Sequence, residues 1–200
     1  MDVFFIRHGK TAGNLEKRYI GKTDEPLCGQ GVAELLEKRD SGAYDEALRA
    51  ADNNKCAIWR SPMLRCAQTA EIIFPDFEYQ VCDDLRECDF GSFENKNWME
   101  LSGDSDYQAW IDSGGTLPFP SGESQAGFRK RCIAAYDKIA SDAAKNNVPA
   151  LIFVVHGGTI MSVMAEYGAP RKDYFEWQID NACGIRCGWD GAALHLVGYF

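Results

Sequence analysis

Three apolar runs in this chain stop abruptly on groups that handle anions. Phe4-Phe5-Ile6 gives way to Arg7-His8-Gly9, and Cys56-Ala57-Ile58-Trp59 to Arg60-Ser61-Pro62, with Arg65 three residues beyond the proline. Leu151-Ile152-Phe153-Val154-Val155 gives way to His156-Gly157-Gly158-Thr159. A guanidinium matches phosphate through its rigid fork of donors. A neutral imidazole is a covalent nucleophile toward phosphorus, and a second imidazole with the arginines stabilises charge on the equatorial oxygens. Glycines let backbone amides approach an oxyanion, and a helix starting near Thr159 would aim its free amides at it. The set describes a site for a dianionic tetrahedral group. Of the three histidines, only His195 stands apart; it opens the last strand and reads as a surface or structural residue.

The elements that must position these groups follow from periodicity. The continuous apolar runs are strands buried on both faces, and ligands bind beyond the carboxyl ends of such strands in open α/β sheets. A further strand is expected over residues 78–82. Asp190-Gly191 between two apolar runs marks a hairpin of strands 184–189 and 194–199, so the sheet is mixed, mostly parallel with an antiparallel edge. Helices are expected from about residue 30 to 40 and over 43–51, 63–73, 98–111, 123–144 and 160–167. Trp98, Leu101 and Trp110 are available for packing in the fourth of these. Residues 9–29, 84–94 and 112–122 read as ordered loops, the first two long enough to be functional. One domain is expected over residues 1–200, with the segment 91–122 inserted as a helical cap.

Composition narrows the partners. With 200 residues the chain can bury a full core, and 46% apolar residues is ordinary for a globular protein. Thirty acidic residues against 21 Lys and Arg give a formal charge of −9, which argues against nucleic acid and anionic membranes as partners. It leaves room for a small phosphorylated substrate held by a few arginines. No apolar stretch approaches the ~18 residues of a membrane span, and Met1-Asp2-Val3 runs directly into a strand, so a cytoplasmic location is expected. The eight cysteines lack zinc-type or redox spacing and read as free thiols.

Four blocks in order resemble the histidine phosphatase superfamily, the group that includes cofactor-dependent phosphoglycerate mutase. They are Arg7-His8-Gly9, continued by Thr11-Ala12-Gly13-Asn14 and Arg18-Tyr19-Ile20-Gly21; Arg60-Ser61-Pro62 through Ala70; Leu85-Arg86-Glu87 through Glu94; and His156-Gly157-Gly158. The resemblance implies a three-layer α/β/α sandwich of the phosphoglycerate mutase type with a small cap. It implies His8 as the nucleophile that becomes phosphohistidine, Arg7 and Arg65 as phosphate-binding arginines, and His156 with Gly157 in the same pocket. Glu87 takes the place of the acid that protonates the leaving oxygen, with Asp83, Asp84, Asp89 and Glu94 as neighbouring alternatives. Asn14 and Gly21 line the phosphate or substrate entrance. Positive charge comes from Arg7, Arg65 and, as a third source, a protonated His156; the chemistry needs neither metal nor cofactor. Arg60 stands equally well as pocket wall or as partner of an acidic neighbour.

Lys10 and Ile20 stand where mutases resemble one another in carrying an acidic and a hydroxyl residue. The block 85–94 and the junction Pro118-Phe119-Pro120-Ser121-Gly122-Glu123-Ser124 are similar to the phosphatase branch, which includes α-ribazole phosphatases. A phosphomonoesterase is therefore expected, specific for α-ribazole 5′-phosphate or broad. A phosphoglycerate mutase and a weakly catalytic phosphate-binding scaffold are the alternatives. Monomer and homodimer are both compatible.

Overall fold

A computed structural model describes residues 1–52 and 56–200. The strands are β1 (Asp2–Arg7), β2 (Ala57–Arg60), β3 (Tyr79–Val81), β4 (Ala150–Val155), β5 (Gly168–Ala169), β6 (Gly184–Trp189) and β7 (Leu194–Tyr199). They form one sheet in the order β3-β2-β4-β1-β6-β7-β5. The first four positions are mutually parallel; β6 runs antiparallel to β1 and β7, and β5 parallel to β7.

The helices are α1 (Ala12–Leu15), α2 (Gly29–Asp40), α3 (Asp45–Asp52), α4 (Leu64–Ile73), α5 (Ser105–Asp112), α6 (Gln125–Lys145) and α7 (Gly157–Tyr167). Strand alternation sorts them into two layers. Val3, Phe5, Leu151, Phe153 and Val155 face a core closed by α6, α7 and Trp177. Phe4, Ile6, Ile152 and Val154 face the other core, with Leu35, Ala47, Cys66, Ala70 and Ile73 from α2, α3 and α4. Both faces are covered, which is why β1 and β4 are apolar at consecutive positions. Each such side chain contributes about 1.5–3 kcal/mol of burial. The result is the three-layer α/β/α sandwich of the phosphoglycerate mutase type.

Three local expectations are corrected. The loop over 9–29 contains α1, a single turn capped by Thr11, whose Oγ1 accepts from Asn14 N–H at 3.3 Å while Asn14 Oδ1 accepts from Thr11 N–H at 3.2 Å. Four residues are too few for a periodic signal. The helix expected over 98–111 begins only at Ser105, where Asp104 caps it by accepting from Asp106 and Tyr107 N–H. Asn97 and Gly103 (φ +86°) make turns of the preceding stretch, leaving Trp98 58% exposed instead of packed. The helix expected from Ile160 begins earlier, at Gly157.

A third cluster, of Phe93, Phe119, Phe128, Leu101, Cys88 and Cys132 with Tyr19, Phe90, Tyr107 and Trp110 against it, gathers residues of segment 91–122. All eight cysteines are free. Among the described residues, no helix is long and apolar enough to cross a membrane.

Candidate active site

The parallel neighbours β2, β4 and β1 end side by side, so the groups that follow them converge. The His8 and His156 rings stand 5.1 Å apart, edge to face. His8 Nδ1 lies 2.7 Å from the Gly9 carbonyl oxygen. A carbonyl can only accept, so Nδ1 carries the proton and Nε2 keeps its lone pair free. Burial pushes the His8 imidazole well below its ordinary range, and the cations Arg65 and Arg7 push it further. A neutral ring with a bare Nε2 is the nucleophilic form. Its backbone is held on both sides: Asn181 Nδ2 donates to the His8 carbonyl at 3.0 Å, and Gly9 N–H donates to Thr69 Oγ1 at 3.0 Å.

The two arginines are anchored by backbone carbonyls and each keeps a donor in reserve. Arg7 Nη1 donates to Ile179 O at 2.6 Å. Arg65, fully buried in the first turn of α4, donates to Thr23 O (2.9 Å), Gly21 O (2.9 Å) and Ile20 O (3.4 Å). In both, the buried Nε has no hydrogen-bond partner among the described residues. His156, the N-cap residue of α7, places Nε2 2.7 Å from Ser61 Oγ. Burial, with Arg65 and His8 beside it, holds His156 well below the ordinary imidazole range. It is therefore a neutral member of the site and not the third cation of the sequence expectation.

Glu87 is half-buried at the N-terminus of α7. Gly158 N–H donates to its Oε2 at 3.3 Å and Cys88 N–H to its Oε1 at 3.0 Å. The amides expected to face an oxyanion thus include one that binds a carboxylate of the chain itself. Glycine is required there, since a Cβ on Gly158 would overlap Glu87 Oε1 and come within 2.9 Å of the Phe128 ring. Burial pushes the Glu87 carboxyl above its usual range, against the opposing pull of the two amides and of Arg65 and Arg7.

These groups meet a cavity of about 330 Å³. Arg7, His8, Glu87, Gly157 and Asn14 reach its wall, as do the aromatic rings of Tyr19, Phe90, Trp110 and Phe119. Trp110 and Phe119 stack with centroids 5.1 Å apart. Arg65 and His156 are fully buried and do not line the cavity. Nor does Gly21. It is buried where a Cβ would overlap the Cys88 carbonyl oxygen, and its own carbonyl anchors Arg65. Arg60 donates to Ser61 O at 3.0 Å and stays off the wall. His195 pairs with Asp190 at 2.7 Å in the terminal hairpin, away from the site.

Ser61 and Thr69 lie inside a recognised sequence block, but only the fold shows what they hold. Asn181 had no sequence signal. It is 173 positions from His8 and also donates to Asn14 Oδ1 at 3.2 Å, joining α1 to the end of β1.

Known proteins share this arrangement of sequence and fold. The chain is 28% identical over 183 residues to a Bacillus subtilis protein described as the uncharacterized phosphatase PhoE, covering 90% of this chain and 84% of that one. It is 32% identical over 141 residues to a probable phosphoglycerate mutase, GpmB, of Proteus mirabilis, covering 68% of this chain but only 61% of that protein. The crystal structure of an alpha-ribazole phosphatase from Shigella flexneri superposes with a TM-score of 0.77 at 21% identity, over 98% of this chain and 94% of that one, a likeness of fold. Residues 3–200 match the histidine phosphatase superfamily (branch 1), and the chain belongs to that family.

Proposed function

We propose that the protein is a phosphomonoesterase that works through a phosphohistidine on His8. The observation that carries this reading is the His8 ring itself: Nδ1 is committed to the Gly9 carbonyl, so Nε2 is the free base, beside a guanidinium and at the wall of a cavity. In the proposed reaction Nε2 attacks phosphorus. Arg7, on the cavity wall, directs its spare Nε–H donor to the phosphoryl oxygens, while Arg65, buried behind the wall, adds positive charge beside His8 and neutral His156 packs against the His8 ring. Glu87, whose carboxyl burial pushes above its usual range, gives its proton to the leaving oxygen. The resulting carboxylate then takes a proton from the water that attacks the phosphohistidine. Segment 91–122 is proposed as the cap that encloses the leaving group.

The cavity wall favours an uncharged leaving group with flat apolar surface. Besides Arg7, the cation on the wall is Arg18, and it is already occupied: Glu16 at 2.6 Å, Glu100 at 2.6 Å and Asn95 O at 2.5 Å. Among the described residues, a leaving-group carboxylate would meet no further free counter-charge there. Lys10 pairs with Glu34 at 2.8 Å, and Ile20 presents an apolar side chain to the cavity. α-Ribazole 5′-phosphate, with its aromatic base, fits this wall. Similarity to a probable phosphoglycerate mutase favours a second reading, in which a bound alcohol takes the phosphoryl group from His8.

Phosphate release from a panel of α-ribazole 5′-phosphate, nucleotide monophosphates, sugar phosphates and 3-phosphoglycerate separates the readings. The expected result is a kcat/KM at least about tenfold higher for aromatic or nucleoside leaving groups than for 3-phosphoglycerate, a preference of about 1.4 kcal/mol. Conversion between phosphoglycerates after priming with a bisphosphoglycerate, without phosphate release, would replace the phosphatase by the mutase.

The pH profile tests the protonation states. The phosphorylation step needs neutral His8 and protonated Glu87. As pH rises, kcat/KM should climb while His8 loses its proton, well below the ordinary imidazole value of about 6.5. It should fall again as Glu87 loses its own, above the ordinary carboxylate range. Glu87→Gln should remove the alkaline fall and leave the acid rise. An acid limb centred near the ordinary imidazole value would contradict the neutral resting state of His8.

A further inference from the structure

We propose that Arg131 and Glu123 form the positioning device for Glu87, tying the orientation of the acid to the junction where segment 91–122 returns to α6. The inference rests on the reading of Glu87 as the proton donor.

The Glu87 carboxylate has no side-chain partner among the described residues. Its two hydrogen bonds come from main-chain amides, one of them its own neighbour Cys88. Its direction is therefore set by the path of the backbone through 84–89. Thr159 Oγ1 donates to Leu85 O at 3.3 Å, and one guanidinium holds three further carbonyls along that path. Arg131, in the second turn of α6, donates through Nη1 to Asp84 O (2.8 Å) and Arg86 O (3.0 Å), and through Nη2 to Glu87 O (3.4 Å). The fork is fixed in turn by Glu123, which accepts from Nε at 3.0 Å and from Nη2 at 2.7 Å.

Glu123 reaches the other side of Glu87 as well. Its Oε2 accepts from Asp89 N–H at 3.0 Å, and its own N–H donates to Asp89 O at 2.9 Å. Its carbonyl accepts from Phe119 N–H at 3.1 Å, and Phe119 is one of the aromatic residues on the cavity wall. Carbonyls before Glu87, the Glu87 carbonyl itself and both backbone groups of Asp89 are thus bound to one ion pair. The pair is largely shielded, with side chains 13% and 28% exposed. A planar fork can satisfy acceptors in these several directions; a lysine ammonium on a flexible stem would not hold them together. Arg131 and Glu123 do not line the cavity. They are positioning residues, and substrate settling against Phe119 would bear on the same junction that orients the acid.

The test compares phenyl phosphate with 4-nitrophenyl phosphate. The rings are alike, but nitrophenolate departs without protonation while phenolate needs it. The quantity read is kcat/KM, which reports the transfer to His8. Glu87→Gln is expected to depress phenyl phosphate about 10²-fold more than 4-nitrophenyl phosphate. Arg131→Gln and Glu123→Gln should shift the same ratio in the same direction by about tenfold or more, with native far-ultraviolet circular dichroism, because misplacing a catalytic group by ~1 Å costs up to about 10²-fold. If Arg131→Gln does not fold, Arg131→Lys carries the same criterion. Equal loss on both substrates in the Arg131 and Glu123 variants, alongside a shifted ratio in Glu87→Gln, overturns the positioning role. An unshifted ratio in Glu87→Gln overturns instead the reading of Glu87 as acid.

Discussion

Replacing His8 with alanine is expected to lower phosphate release by about 10⁴-fold or more while the protein stays folded, as removing a covalent nucleophile does elsewhere. The side chain makes one hydrogen bond, to the carbonyl of the next residue, and its removal leaves the sheet register of β1 with β4 and β6 untouched. The structural cost is that of one unpaired carbonyl, about 1 kcal/mol. The chemical cost is the loss of the only bare Nε2 among the three histidines: His156 Nε2 faces Ser61 Oγ and His195 Nε2 faces Asp190. Rapid quenching of wild-type protein with labelled substrate should trap label that survives alkali and is lost in acid, the behaviour of a phosphorylated imidazole. The His8→Ala protein should trap none. Turnover by that variant comparable to wild type would remove His8 as nucleophile.

Arg65→Met should cost both stability and activity, and the two losses have separate origins. Methionine fills much of the volume but leaves Gly21 O and Ile20 O without their buried donor and Thr23 O without a half-buried one. An orphaned buried acceptor costs about 1–3 kcal/mol, so a loss of about 2–4 kcal/mol is expected. That is a large part of a typical total of about 5–15 kcal/mol. It should appear as a lower midpoint of denaturant unfolding at unchanged slope. The loop 20–24 is also bound to α4 by Asp24 Oδ1, which accepts from Leu64 N–H at 2.7 Å, so it should loosen without detaching. Activity should fall by about 10²-fold or more, since the buried cation beside His8 and the phosphoryl site is removed. Arg65→Lys should rescue little of the stability, because one ammonium cannot reach the diverging carbonyls that the guanidinium holds. An unchanged unfolding midpoint would contradict the structural half of this account; full activity would contradict the catalytic half.

The site combines rigid and adjustable parts. His8, Arg65 and His156 are buried and tied to the ends of strands or the start of a helix. Glu87 and the aromatic wall depend on loops and on segment 91–122, gathered in their own cluster. Variation in leaving group is therefore expected to act through the second set while the phosphoryl end stays constant.

The order of residues was enough to read the buried strands, the helices of the two outer layers and the residues at the strand ends. Those features depend on local pattern: runs of apolar residues, 3.6-residue periodicity, and cations or imidazoles where the runs stop. The ordered blocks added Glu87, Asn14 and Gly21, which no periodicity would pick out. Tertiary structure alone decided the rest. The single turn α1 and the turns over 97–103 have too few residues for a period and are set by side-chain caps. Gly21, expected at the entrance, stands behind it, because its role is a close approach to Cys88 that only packing reveals. The neutrality of His156 follows from burial beside Arg65 and His8, an effect of distance in space. Asn181 and Arg131 act on backbone groups 173 and 44–47 positions away. Any carbonyl can accept a hydrogen bond whatever its side chain, so such contacts leave no mark in the sequence of the segment they hold.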